Sequence, residues 1–310
     1  MDIVDITIFY GKMHHAIDIT SICYEKLKVN NIIYIQSNDP KRAILFSDPL
    51  VGVIKDIIII IKKNTICQIY NYDALTHIQI NVLDGTIKTI TNFDIHYTLQ
   101  NLHSTLKLNY GSFSDELPEQ IITTTFLTGK EKVLEIGGNI GRNSLIIASL
   151  LASHNNNNLK DIFVCMETDY DISKQLYENR DLNNFNFNIE NAALSNQKLI
   201  QKGWDTIISD ELLDGYKPVN IISFNDLNNK YNILFDTLVL DCEGSFYYIL
   251  QDFPDILTNI NLIIMENDYH NFSHKEYVNS VLKDNNFHLI YSETGGWGPC
   301  GENFFEVWRK

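Results

Sequence analysis

A glycine turn preceded by an acidic residue is the part of this sequence most suited to chemistry. In Lys132–Leu145 a short apolar run leads through Glu135 into the glycines at 137, 138 and 141, and then into an apolar-faced helical pattern. Glycines let the backbone turn sharply and approach a ligand, and the following helix can present free N–H groups. A carboxylate here would repel a pyrophosphate but suits an ammonium or sulfonium group. The segment therefore indicates a pocket for a nucleotide-type ligand, although such turns also occur for packing alone.

A second acid, Glu167, ends the next strand-like run, Asp161–Glu167. In the dinucleotide-binding fingerprint, an acid about 20 residues beyond the glycine turn binds the ribose diol. The gap is longer here because the polar insert His154–Asn158, which is typical of a solvated loop, lies between the two. We predict that Glu167 binds a ribose, the alternative being an ordinary surface acid at a strand end.

Two later apolar runs that resemble buried strands also end in acids, at Asp241 and Glu266. A carboxylate or imidazole near a hydroxyl can take its proton, so Asp241 is the first catalytic candidate, followed by Glu266 and His270. Asp241 could instead cap its strand end, and His270 could simply be exposed. Asp241, Glu266 and Asp268 could gather oxygen ligands for a hard cation such as Mg²⁺, but the spacing does not require a cation and none is expected.

Strand-like and helical patterns alternate around these residues, with a helix predicted at Asp171–Asn183 and a strand at Phe187–Leu194. Such alternation implies a mostly parallel sheet with helices on both faces, and ligands bind outside the carboxyl ends of its strands. Every acid singled out above lies at such an end. The predicted fold class is therefore α/β.

Five segments, taken in order, carry a resemblance to a known family: Leu134–Gly141, Glu167, Ala192–Ser195, Leu240–Gly244 and Met265–Glu266. They resemble the glycine motif, the ribose acid, the adenine-bordering motif, the acid-x-acid-glycine step and the later glutamate of the FkbM-type S-adenosylmethionine-dependent methyltransferases. The resemblance covers roughly residues 110 to 310. It implies a class I methyltransferase Rossmann-like sheet and O-methylation of small molecules, commonly sugars or natural products.

The resemblance also implies S-adenosylmethionine as cofactor and S-adenosylhomocysteine as product. The residues that it assigns to cofactor binding, together with those discussed above, are Glu135, Gly137, Gly138, Asn139, Gly141, Glu167, Ala192, Ala193 and Asp241. Two positions depart from the family pattern: Thr168 replaces a proline, and Phe246 replaces an acid beyond the signature glycine. The resemblance therefore supports the prediction of the cofactor more strongly than the prediction of the acceptor.

The charge balance bears on the acceptor. Thirty-nine acids against 24 bases give a net charge of −15, which disfavours nucleic acids and anionic lipids as partners. The predicted acceptor is a small-molecule hydroxyl, with a sugar or glycan precursor as first choice. Two alternatives are a catalytically inactive Rossmann-like binding or structural module and a nicotinamide-dependent oxidoreductase, although the glycine spacing does not fit G-x-G-x-x-G.

Two further segments could border a ligand. Gly295–Gly301 combines four glycines and a proline with Trp297, which could form an aromatic wall for a sugar ring or pack onto the sheet in a hairpin connection. Tyr110–Glu116, just before the glycine motif, is predicted to act as a lid over the cofactor.

Residues 1–105 are predicted to form a strand-rich accessory domain, and residues 106–310 the Rossmann-like methyltransferase domain. Strand-like runs occupy Asn31–Gln36, Val53–Ile61, Thr65–Tyr70, His77–Leu83 and Thr86–Phe93, with a hairpin signal at Asp84-Gly85 and a helix predicted at Thr20–Lys28. The accessory domain is interpreted as serving homo-oligomerisation or acceptor binding, or as a packing appendage.

The compartment is predicted from three features. The five cysteines are scattered without paired or CxxC spacing, as is typical of reduced thiols. The start Met1–Asp5 carries acids where a secretory signal is basic, and no apolar run approaches the length of a membrane helix. A cytoplasmic protein without a membrane partner is expected.

Overall fold

The computed structural model describes residues 4–155 and 158–310. The start Met1–Asp5 and the predicted loop His154–Asn158 therefore lie partly outside the described residues. The chain forms two compact units, one reaching to Tyr97 and including His288–Ile290, the other comprising Thr98–Phe287 and Tyr291–Lys310. None of the helices in the described ranges has the length and apolar character needed to cross a bilayer.

The first unit is rich in strands. Its elements are β1 (Val4–Lys12), β2 (His15–Asp18), α1 (Thr20–Ile22) with a π-helical turn at Cys23–Leu27, β3 (Lys28–Val29), β4 (Ile32–Ile35), α2 (Asp39–Phe46), β5 (Asp56–Lys63), β6 (Ile66–Tyr72), β7 (Thr76–Asn81) and β8 (Ile87–Thr91). They form two antiparallel sheets, ordered β2-β1-β5-β6 and β3-β4-β7-β8. The hairpin signal at Asp84-Gly85 is confirmed, since β7 and β8 pair there and Gly85 has a φ of +75°.

Alternation along β5 explains how the first unit builds its core. Ile57, Ile59 and Ile61 are buried and pack with Ile8 and Tyr10 of β1. Successive strand side chains point to opposite faces of a sheet, so an all-isoleucine run can still cover one face only.

Part of this region agrees with the sequence-based expectation. The helix predicted at Thr20–Lys28 is present as α1 with its π-helical turn, which ends at Leu27, whereas β1, β2, β3 and α2 were not predicted. Helix α2 begins where the Asn38 side chain accepts a hydrogen bond from the Lys41 N–H. Helix α3 (Asn92–Thr105) follows β8, and the two compact units divide inside it, at Tyr97/Thr98.

The rest of the chain, most of which belongs to the second unit, alternates strands and helices. Its further elements are α4 (Leu117–Phe126), β9 (Val133–Ile136), α5 (Arg142–Ala152), β10 (Phe163–Met166), α6 (Tyr170–Leu182), β11 (Asn188–Glu190), β12 (Ala193–Leu194), β13 (Leu199–Lys202), β14 (Asp205–Ile208), β15 (Lys217–Val219), β16 (Ile221–Ile222), α7 (Phe224–Tyr231), β17 (Thr237–Leu240), α8 (Phe246–Asp252), β18 (Leu262–Glu266), α9 (Phe272–Asp284), β19 (His288–Glu293), a 3₁₀ turn at Gly298–Asn303, and β20 (Phe305–Arg309).

The central sheet has seven strands in the order β11-β10-β9-β17-β18-β20-β19. The five strands from β11 to β18 are parallel, and β20 runs antiparallel to β18. All residues of β9, β10 and β17 are buried, as expected for a sheet covered on both faces. The chain order reverses between β9 and β17, which is the switch point where open α/β sheets bind ligands. The predicted α/β fold class, with a Rossmann-like and mostly parallel sheet, is confirmed.

Candidate functional site

The glycine turn lies at this switch point, between the carboxyl ends of β10 and β17. The Gly137 N–H donates to the Met166 carbonyl over 3.0 Å, and the Asp241 N–H donates to the Ile136 carbonyl over 3.0 Å. Gly137 has a φ of +90°, and a Cβ there would lie 1.6 Å from the Asp241 carbonyl oxygen. Only glycine fits this position, because both its backbone conformation and the neighbouring strand exclude a side chain.

Close packing also explains the other two glycines. A Cβ at Gly138 would lie 2.0 Å from the Cys165 sulfur, and a Cβ at Gly141 would lie 2.4 Å from the side chain of Leu176. The turn thus presses α5 against β10 and α6. Close packing therefore accounts for part of the glycine pattern, as the alternative interpretation of the sequence held. A ligand site must be argued from the polar groups around the turn.

Glu167 binds the glycine turn directly. One carboxylate oxygen accepts a hydrogen bond from the Asn139 N–H at 2.9 Å, and the other accepts from the Asp169 N–H at 2.8 Å. Burial raises the pKa of Glu167, and these N–H groups oppose that rise. The Thr168 hydroxyl also lies 3.5 Å from the oxygen that accepts from Asp169, whereas the oxygen that accepts from Asn139 has one donor and can accept a further hydrogen bond. The side chain is therefore able to bind a ligand hydroxyl through this oxygen, and a second hydroxyl would replace the long bond from Thr168.

Glu135 is buried in the middle of the sheet, with 2% of its surface exposed. Burial raises its pKa to about 7, while hydrogen bonds to Ser144 and Cys165 oppose the rise. Among the described residues, no hydrogen-bond partner reaches its Oε2 atom. An unpaired buried carboxylate is costly, and a positively charged ligand is the kind of partner that would lower that cost.

The predicted adenine-bordering motif lies beside Glu167. The Asn191 side chain donates to the carbonyls of Glu167 and Thr168, over 2.8 and 3.1 Å. Ala192 is buried, and Ala193 begins the short strand β12. Asn191, which the sequence did not single out, fixes the end of β10 against this motif.

The predicted lid segment Tyr110–Glu116 is held against the glycine turn. The Asn179 amide accepts from the Asn109 N–H at 2.7 Å and donates to the Ile140 carbonyl at 2.9 Å. The Glu116 carboxylate accepts from Arg142 at 2.5 Å and from the Asn139 side chain at 3.2 Å. The lid position is thus next to the predicted cofactor motif, and its movement stays a prediction.

Three predicted acids meet at the carboxyl ends of β17 and β18. Carboxylate oxygens of Asp241, Glu266 and Asp268 all lie within 4.8 Å of one another. Burial, together with neighbouring acids, raises the pKa of Asp241 and Glu266 far above the ordinary range and that of Asp268 to about 7. At an effective dielectric constant near 20, two unit charges this far apart repel by about 3 kcal/mol. The cluster must therefore hold protons or a positive ligand.

Glu119 of α4 joins this cluster and was missed by sequence reasoning. Its carboxyl group hydrogen-bonds to Glu266, which further raises the Glu266 pKa. Its Oε2 atom is buried without a donor among the described residues. The sequence offers no signal for this role, because Glu119 stands in the first turn of an ordinary helix, far along the chain from β17 and β18.

His270 and Trp297 form a separate pair. His270 is exposed and outside the carboxylate cluster, and its ring centroid lies 4.7 Å from that of Trp297, at an interplanar angle of 53°. Trp297 is 49% exposed, so it is not packed into the sheet. Phe246, which departs from the family pattern, begins α8 and is buried in the core.

Comparisons with known proteins give structural likeness only. No family model matches the chain, and no curated protein matches it. Among solved structures, the ribosomal protein L11 methylase from Lactobacillus delbrueckii subsp. bulgaricus is 11% identical, with a TM-score of 0.39 over 66% of this chain and 82% of that one. An O-methyltransferase from Bacillus cereus in complex with SAH is 11% identical, with a TM-score of 0.38 over 71% and 92%.

A protein of the NADB-Rossmann superfamily from Streptococcus agalactiae is also 11% identical, with a TM-score of 0.38 over 62% of this chain and 67% of that one. These likenesses are too low to establish an activity. The fold class rests on the order and direction of the strands.

Proposed function

We propose that this protein is an S-adenosylmethionine-dependent methyltransferase that acts on a small-molecule hydroxyl, with a sugar or glycan precursor as the leading acceptor. The observation that carries the proposal is the set of buried carboxylates with unused acceptor positions at the switch point of the sheet. Glu135 and Glu167 flank the glycine turn in this way. A nucleoside that carries positive charge satisfies both groups, whereas a pyrophosphate would be repelled.

The chain's own residues provide the binding roles. Glu167 would accept hydrogen bonds from the ribose hydroxyls, and Glu135 would pair with the ammonium group. The turn at Gly137–Gly141 would lie against the cofactor, with Ala192 and Ala193 at the adenine. Glu167 is already held by two N–H groups, so little rotamer entropy is lost when it binds a ligand.

When bound, the cofactor supplies a methyl group on a sulfonium, whose C–S bonding electrons remain on sulfur as the methyl passes to the acceptor oxygen. The protein must align the acceptor, exclude water and take the hydroxyl proton. Asp241 and Glu266 are proposed to take that proton. Their pKa values are raised by burial and by neighbouring acids, so the cluster retains a proton readily, and a cationic ligand beside it favours the ionised form needed for a base.

The choice of acceptor is supported by charge and by Trp297. A net charge of −15 gives no long-range attraction for nucleic acids. Trp297 presents a half-exposed ring beside His270, and flat aromatic faces suit sugar rings. His270 is proposed to contact the acceptor from this side.

The first experiment is calorimetric titration of the full chain with S-adenosylhomocysteine, with NAD as a parallel ligand. We expect one site, and we expect Glu167→Gln to weaken binding about 10- to 100-fold, the worth of hydrogen bonds to a charged group. Asp171→Asn, an exposed acid in the first turn of α6, is the matched control and should leave binding unchanged. Folded protein that does not bind the ligand would refute the proposal, and selective NAD binding would favour an oxidoreductase.

A methyl-transfer screen then tests the acceptor. Monosaccharides and nucleotide sugars are compared with peptides and RNA, and we expect transfer to a sugar hydroxyl. The alternative function, an inactive binding or structural module, is favoured by Phe246, which puts a buried phenyl ring at a position where the resembled family has an acid. Cofactor binding without transfer to any acceptor would support that alternative.

A further inference from the structure

The carboxylate cluster has the composition of a cation site. Asp241 follows β17, and Glu266 and Asp268 stand at the end of the neighbouring strand β18. The parallel pairing of these strands brings the three side chains together, with oxygen atoms within 4.8 Å of one another. Every donor atom is a carboxylate oxygen, which is the ligand type preferred by hard divalent cations.

Unused oxygen atoms provide a second and independent observation. Asp268 is 5% exposed, and among the described residues no donor from outside the acidic cluster reaches its Oδ2 atom. Glu266 Oε1 and Glu119 Oε2 also have no donor from outside the cluster, within which Glu266 bonds to Glu119 and Asp268. Another buried acid of this unit has a cation of its own, since Glu306 pairs with Lys275. None of the ion pairs found among the described residues includes an acid of the cluster.

We propose that Asp241, Glu266 and Asp268 bind a hard divalent cation such as Mg²⁺ or Mn²⁺. Around Mg²⁺, opposite ligands are about 4.2 Å apart and adjacent ligands about 3 Å apart, from the usual bond lengths. Three ligands cannot all be opposite one another, so side-chain rotation must draw at least two of the three oxygen pairs together from separations that are now at most 4.8 Å. Water and the acceptor would complete the coordination shell.

The role of this cation in catalysis rests on the proposed function, whereas its binding does not. A divalent cation at the ends of β17 and β18 would orient the acceptor hydroxyl and favour loss of its proton to the second oxygen of Asp241 or Glu266, the bases of the proposed function. It would also supply the positive charge that the cluster lacks. The site would thereby restrict the acceptor to molecules that offer an oxygen ligand, such as a sugar with neighbouring hydroxyls.

Manganese binding to the full chain tests the inference directly. Electron paramagnetic resonance measures free Mn²⁺ during a titration of metal-stripped protein, and we expect one site from which Mg²⁺ displaces Mn²⁺. Asp268→Asn and Glu266→Gln should each weaken Mn²⁺ binding by about tenfold or more, since each removes a ligand charge. Asp284→Asn is the matched control, because Asp284 is an exposed acid at the end of α9 and lies outside the cluster. It should change binding by less than about threefold.

Calorimetry with S-adenosylhomocysteine on the same samples separates the two proposals and shows whether each variant is folded. Absence of Mn²⁺ binding to wild type, or equal weakening by Asp284→Asn and both cluster variants, would overturn the cation site while leaving the methyltransferase proposal intact. Mn²⁺ binding without S-adenosylhomocysteine binding would support the cation site and overturn the proposed function. If one cluster variant fails to fold, the other variant and Mg²⁺ competition on wild type still decide the matter.

Discussion

Substitution of Gly137 by alanine is the most direct test of how the two central strands form the site. The alanine must adopt a φ near +90°, which costs a non-glycine residue about 1–2 kcal/mol. Its Cβ would also lie 1.6 Å from the Asp241 carbonyl oxygen, about half an ordinary contact distance. The oxygen belongs to the backbone, so β9 and β17 must separate by more than 1 Å in a close-packed sheet.

Gly203→Ala isolates the backbone cost from the clash. Gly203 also has a positive φ, +59°, but a Cβ there would have no atom within 4 Å. We expect Gly203→Ala to lower the free energy of unfolding by about 1–2 kcal/mol and Gly137→Ala to lower it by about 4 kcal/mol or more. The same separation would displace Asp241, so Gly137→Ala should also weaken S-adenosylhomocysteine binding by at least about tenfold.

Urea unfolding followed by circular dichroism gives both free energies, and calorimetry gives the affinities. The comparison requires that the two variants share the wild-type m-value, which shows that the same surface becomes exposed. Equal destabilisation by Gly137→Ala and Gly203→Ala would refute the proposed contact between the glycine turn and the β17 backbone.

Three further predictions concern buried charges. Arg42→Met should lower the free energy of unfolding by about 3–5 kcal/mol, because the guanidinium donates to three backbone carbonyls; a loss under about 1 kcal/mol in urea unfolding would contradict this. Burial lowers the pKa of His77 to about 4, from an ordinary value of about 6.5. The stabilisation that the neutral ring provides should therefore be complete above about pH 6.5, and the free energy of unfolding should fall by up to about 3 kcal/mol as the pH drops to 4. In a plot of the free energy of unfolding against pH, His77→Gln should flatten this part of the curve. Lys275→Met should cost about 3–5 kcal/mol by leaving the buried Glu306 carboxylate without its lysine, and the double variant with Glu306→Gln should recover most of this, as a thermodynamic cycle will show.

Sequence reasoning succeeded where a local pattern alone decides the structure. The run before Gly137 is a buried strand, the run ending at Glu167 is its neighbour, and Asp84-Gly85 makes a hairpin. Each depends on interactions between residues close in the chain, such as glycine at a positive φ or a short apolar run between turns. Strand β1 and helix α2 were not predicted, although their residues have the usual preferences for a strand and a helix. A weak local pattern does not identify an element unless the strand or helix that packs against it is known.

The sequence by itself determined the α/β class, the glycine turn and the presence of acids at the ends of strands. Only the tertiary structure decided which acids meet: the pairing of β17 with β18 joins Asp241 to Glu266 and Asp268, helix α4 adds Glu119, and His270 stays outside with Trp297. The physical reason is that a strand end is fixed by nearby residues, whereas its neighbours depend on strand order and helix packing over the whole domain. Burial, which raises the pKa values of these carboxyls, is likewise a property of the assembled sheet and helices.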